Sequence, residues 1–98
     1  MVFAWDEAKN RVNQRKHEVS FESAARVFED HTAVSYVERV VEAQERWHTI
    51  GLAGGIVVLL VVHTVEEQDG EEKIRIISAR KAAPRERALY DAAFRPPA

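Results

Sequence analysis

The apolar positions change their period several times along the chain, and each change marks an element. Val2 to Trp5 alternates, with Phe3 and Trp5 on one side, as in a short strand. Asp6 then offers a carboxylate to the free amides of a helix expected from Glu7 to about His17. Only Ala8 and Val12 share an apolar face of that helix, among Lys9, Asn10, Arg11 and Asn13, so the helix must lean on a sheet or on a partner. Ser20 caps a second helix in which Phe21, Ala24, Ala25 and Phe28 recur at core-facing spacing, and Glu29-Asp30-His31-Thr32 ends it.

From Ala33 onward the pattern is that of strands, although Glu38 to Gln44 is polar and fits a loop as well as a helical turn. Arg46 to Leu52 reads as a strand, Gly54-Gly55 as a hairpin turn, and Ile56 to Val65, apolar at both parities, as a central strand covered on both faces. The acidic stretch Glu66 to Glu72 holds the next turn, with Asp69-Gly70 at its tip, and Lys73 to Ala79 is the last strand. Pro84 suits the first position of a terminal helix carrying Leu89, Tyr90, Ala93 and Phe94, which Pro96-Pro97 stops. The expected fold class is α+β: a mainly antiparallel sheet of about four strands, two N-terminal helices and one C-terminal helix. Residues 1–95 are expected to form one domain and 96–98 a tail.

Composition narrows the chemistry. No apolar run approaches the roughly 18 to 20 residues of a membrane span and the first residues lack a signal peptide's pattern, so a cytoplasmic address is expected. Cysteine is absent, which removes disulfides, thiolate metal sites and cysteine nucleophiles. The net charge of -2 hides an asymmetry: residues 73–98 carry seven Lys or Arg against two acidic residues, a net +5, while the rest of the chain is acidic. Such a basic end attracts a polyanion locally.

Within that end, Arg80, Lys81, Arg85 and Arg87 gather at the start of the last helix, where the free amides and partial positive charge disfavour cations unless an anion is present. A phosphate there would accept the amides and pair with Arg80 or Lys81; the alternatives are side chains extended into water or paired with an acidic protein. The four histidines, His17, His31, His48 and His63, show no helical metal-binding spacing, so no metal and no cofactor are expected. His63 and His48 lie on neighbouring strands and could face each other for acid or base work, with Glu45 as a second base candidate. Trp5 and Trp47 are expected in the core rather than stacked on bases.

Three stretches resemble the BrnT family of toxins in the family's own order. They are Phe3-Ala4-Trp5-Asp6-Glu7-Ala8-Lys9-Asn10-Arg11-Val12-Asn13 with Lys16-His17 and Val19 to Ala24; Glu45-Arg46-Trp47 with Ile50-Gly51; and Arg75 to Ala82 with Glu86-Arg87 and Tyr90. The resemblance implies a RelE-like fold, RNA cleavage without a metal that blocks translation, and a BrnA-type antitoxin forming a hetero-oligomer that meets DNA only through the antitoxin. The chain departs from the family at Glu18, where glycine is usual, and at Ala83, where a polar helix cap is usual; each departure concerns stability, on the order of 1 kcal/mol.

On this reading a ribose 2'-hydroxyl attacks the adjacent phosphate. Arg80, with Arg46, Arg75 or Lys81, stabilises the charge, a base such as Glu45 or His63 takes the proton, and Arg80, Lys81, Arg85 and Arg87 hold the RNA. Alternation places Arg75 and Lys81 on one side of the last strand and Arg80 on the other unless a bulge intervenes. The rival reading is a non-catalytic module whose basic end binds an antitoxin or nucleic acid.

Overall fold

The structure, a computed structural model, describes residues 1–94. The expected tail and the stop at Pro96-Pro97 lie outside the described residues. In chain order the elements are β1 (Val2–Ala4), α1 (Glu7–His17), α2 (Phe21–Ala25), a 3-10 turn (Arg26–Glu29), β2 (Val34–Val41), β3 (Gln44–Ala53), β4 (Val57–Gln68), β5 (Glu71–Lys81) and α3 (Pro84–Phe94). The fold is α+β, and the sheet has five strands in the order β1-β5-β4-β3-β2 rather than about four. It is also mixed: Val2, Phe3 and Ala4 pair in parallel with Lys73, Ile74 and Arg75, while every other pairing is antiparallel. The second N-terminal helix is only five residues long and tightens into the 3-10 turn.

Asp6 caps α1 as expected, accepting from the Ala8 and Lys9 amides at 2.9 and 3.2 Å. The helix nevertheless docks through asparagines and not through its apolar stripe: Asn10 and Asn13 are buried, whereas Val12 is 52% exposed. The reason lies in the sheet. β1 pairs with β5 only as far as Arg75, so the outer edge of β5 beyond that point needs another partner. Asn13 supplies it, donating from Nδ2 to the Ala79 carbonyl at 2.8 Å and accepting from the Ala79 amide at 3.2 Å through Oδ1. Its side-chain amide thereby stands in for a missing strand residue. Asn10 does similar work at the start of α2, accepting the Phe21 amide at 2.8 Å.

The polar stretch from Glu38 to Gln44 is neither loop nor helix. β2 continues to Val41, Glu42 and Ala43 form a two-residue hairpin turn with φ of 50° and 66°, and β3 begins at Gln44. β2 is an edge strand with most of its residues exposed, so its sequence carries little apolar alternation.

The two sheet faces are covered unequally. On one, α1, α2 and the 3-10 turn close over Phe21, Ala24, Val27, Leu59, Val61, Ile74, Ile76 and Ala79. The 3-10 turn approaches so closely that a Cβ at Gly51 would lie 2.9 Å from Val27. On the other face α3 packs on β3 and β2 over Ile50, Leu60 and Tyr90, with Leu52, Val58 and Ala82 around them. Asp30 anchors α3 by accepting the Tyr90 hydroxyl at 2.6 Å while also accepting the Leu52 amide at 2.9 Å. Desolvation alone would raise the Asp30 pKa, but these donors and Thr32 outweigh it and hold the carboxyl at about 2.

Candidate nucleic-acid interface

Among the described residues α3 packs on one end of its sheet face, against β3 and β2. Successive rows of side chains across that face follow from the register. The row under α3 holds Ile50, Leu60 and Arg80; the next holds Tyr36, His48, Val62 and Ser78. Beyond it come Arg39, paired with Arg46 across β2 and β3, and Thr64, paired with Arg75 across β4 and β5.

Two irregularities create that last row. In β2 the register shifts between Val37, opposite Trp47, and Arg39, opposite Arg46. In β5 it shifts so that Val62 faces Ser78 while His63 faces Ile76, leaving Ile77 extra. Each shift inserts one residue and reverses the facing of everything beyond it. Arg39 and Arg75 would otherwise point to the helix-covered side. The two bulges lie one residue apart along the sheet and bring both arginines to the face that carries Arg46 and Arg80.

The start of α3 differs from the expectation of an open phosphate site. The Glu86 carboxylate occupies it, meeting both Arg80 terminal nitrogens at 2.8 Å and accepting the Ala83 amide at 2.7 Å. Glu86 sits at the third helical position, where a carboxylate reaches back to the cap residue, so Ala83 needs no polar side chain for its own amide. The hydrogen bonds with Arg80 lower the Glu86 pKa against the effect of burial, and the same contact raises that of Arg80. An internal anion therefore offsets the cations at this helix start.

His48 stands one row from Arg80. Its Nδ1 is 3.1 Å from the Tyr36 hydroxyl, and the rings meet edge to face with centroids 5.4 Å apart. Burial pushes the His48 pKa down and the Tyr36 pKa up, so both are held neutral over a wider range. Among the described residues the only buried side-chain nitrogen or oxygen without a hydrogen-bond partner is Arg46 Nε. A guanidinium buried at one nitrogen and unpaired is an incomplete site for a planar anion.

The structure thus gathers Arg46, Arg75 and Arg80 and separates them from the other candidates. His63 and His48 do not face each other: Trp47 opposes His63 and Val62 opposes His48, so the histidines fall on opposite faces. His63 is 2% exposed under Phe28, with Nε2 2.7 Å from Thr49 Oγ1, and desolvation lowers its pKa to about 4. Glu45 shares the facing of Trp47, away from Arg80, and Lys81 opposes Leu59 on the helix-covered side. Arg85 lies near enough to Tyr36 and Glu86 to shift both. Arg87 borders a cavity of 380 Å³ together with Lys81 at the end of β5, Leu52, Ile56 and Val58. Trp5 and Trp47 are partly buried, Trp5 against Phe21 and Trp47 in a small cavity beside Phe28 and His63. Tyr36, Glu38, Arg39 and Ser78 were not legible as site residues; the bulge in β2 that exposes two of them leaves no mark in the alternation of a polar edge strand.

Fold and site together define a small α+β domain whose half-open sheet face is lined with arginines and suited to a polyanion. Residues 5–86 match the family model of the ribonuclease toxin BrnT of type II toxin-antitoxin systems, and the chain belongs to that family. The 1.1 Å crystal structure of the Brucella abortus ribonuclease toxin BrnT shares the fold, with a TM-score of 0.60 and 24% identity over 85% of this chain and 99% of that one. No curated protein matches the sequence. Among the described residues no helix is long and apolar enough to cross a membrane.

Proposed function

We propose that this toxin cleaves RNA on this face of its sheet, the observation that carries the reading being that Arg46, Arg75 and His48 share the part of the face beyond α3, with Arg80 on the same face where α3 begins. A ribose 2'-oxygen attacks the neighbouring phosphorus, a bond to that oxygen forms, and the bond to the 5'-oxygen breaks, giving a cyclic phosphate and a 5'-hydroxyl. The arginines stabilise the charge that grows on the phosphoryl oxygens, as preorganised donors do in such reactions. His48, steadied through Nδ1 by Tyr36, takes the 2'-proton or returns one to the leaving oxygen. It fills the role for which neither Glu45 nor His63 is placed. The step so proposed calls on these side chains alone and needs no metal.

An antitoxin of the BrnA type opposes the activity in the cytoplasm and brings the hetero-oligomer to DNA. The exposed stripe of α1 suits it: Ala8 and Val12 border a groove of 360 Å³ with Ile77, flanked by Lys9 and Lys16. An apolar segment with carboxylates would complement that surface. The decisive experiment incubates purified protein with RNA in excess chelator and maps the ends. Cyclic phosphate and 5'-hydroxyl ends, lost in His48→Gln and Arg80→Ala proteins that remain folded, are expected. Cleavage restored only by a divalent metal would overturn the mechanism, and no cleavage under any condition would leave a binding module.

A further inference from the structure

We propose that Arg39 binds a phosphate of single-stranded RNA beside the one being cleaved, so that the row of Arg39, Arg46 and Arg75 fixes the strand across the sheet; the proposal rests on the RNA-cleaving reading above. The row spans four strands, about 14 Å at the usual strand spacing. Arg39 and Arg46 are direct cross-strand partners on one face. Like charges so placed repel and weaken a sheet, and the Glu38 carboxylate paired with Arg39 offsets only one of the two. Packing gives no reason to accept that cost, because the Arg39 side chain is 69% exposed. A bulge in β2 is nonetheless what turns Arg39 to this face, one residue along the sheet from the bulge that turns Arg75. Bulges that re-aim side chains concentrate beside functional sites. An anion lying along the row reverses the repulsion and completes the partnerless Arg46.

The neighbours of Arg39 agree with this role. Glu38 is in contact with Arg39 Nε at 2.7 Å, which steadies the side chain and leaves its two terminal nitrogens for a phosphate. The strand must be single: attack by a 2'-oxygen needs that oxygen, the phosphorus and the leaving 5'-oxygen in line, an arrangement a regular duplex does not give. Phosphate contacts position a strand without reading its sequence, so Arg39 contributes affinity across all sequences.

The test uses a fluorescent single-stranded RNA with 2'-O-methyl riboses, which binds without being cleaved, and unmodified RNA in parallel. Affinity is measured from 50 to 200 mM salt for wild type, Arg39→Gln, Arg39→Lys and, as a control on the far side of the molecule, Arg11→Gln. Each phosphate contact to a single strand contributes a slope of about -0.7, so wild-type affinity should fall about 2.6-fold more than that of Arg39→Gln over this range. Arg39→Lys should restore the slope, and Arg11→Gln should match wild type. Equal slopes for wild type and Arg39→Gln, with wild type still cleaving unmodified RNA, would overturn the Arg39 site and leave the cleavage reading intact. Wild type that neither binds nor cleaves would overturn both.

Discussion

Burying His63 should make this toxin lose stability in mild acid, independently of catalysis. The imidazole is 2% exposed, with Thr49 Oγ1 at one nitrogen and the Thr64 carbonyl at the other, and its pKa is lowered to about 4 from 6.5. The unfolded chain therefore binds a proton in this range that the folded chain refuses. Stability from this group is fully present above pH 6.5, falls as the pH drops toward 4 and levels off below that. At 1.36 kcal/mol per unit, the loss between pH 7.5 and 4.5 comes to roughly 2 to 3 kcal/mol, a large share of the roughly 5–15 kcal/mol typical of a domain. His48, also lowered by burial, adds in the same direction, so the comparison must isolate His63. Urea unfolding at the two pH values would be followed for wild type and His63→Gln, whose amide retains a partner for Thr49. The variant should be less stable at pH 7.5 but lose roughly 2 to 3 kcal/mol less than wild type on acidification. Equal losses would refute the reasoning and show that His63 takes up a proton in the fold. Asp30, held at about 2, titrates below this window and does not confuse it.

Other outcomes follow from particular contacts. Glu18 sits in the left-handed region with φ 58°, so Glu18→Gly should raise unfolding stability by about 1 kcal/mol in a denaturant titration. Arg80→Ala should lower the cleavage rate about 100- to 1,000-fold and, because it leaves the buried Glu86 carboxylate without its guanidinium, also reduce thermal stability, unlike the removal of an ordinary exposed arginine. Val12→Glu should weaken antitoxin binding in a titration, since Val12 is exposed on α1 at the groove proposed for the antitoxin.

Much of the fold was legible because its devices are local. Asp6 and Ser20 cap helices where the sequence places them, and β4 is apolar at both parities because both its faces are covered. What escaped depends on partners distant in the chain. β1 becomes a fifth, parallel strand only because β5 has an outer edge to offer some 70 residues later. Asn13 looked like a solvent residue beside a weak apolar stripe, yet its amide meets the backbone of Ala79, a pairing no helical periodicity contains. The thinness of that stripe was the available sign that α1 docks by other means.

The site shows a sharper limit, because facing along a strand is a parity and a single inserted residue reverses it. Strict alternation from Arg80 sends Arg75 to the opposite face; one extra residue at Ile77 returns it. The apolar pattern does hold a trace of this: Ile74 and Ile76 are buried with Ala79, a spacing of two and then three that no regular strand produces when one face is the core. β2 holds no such trace, since Val37 and Val40 are both exposed and neither anchors a face. Arg39 is thus hidden from the sequence because it lies on an edge strand whose side chains the core does not dictate.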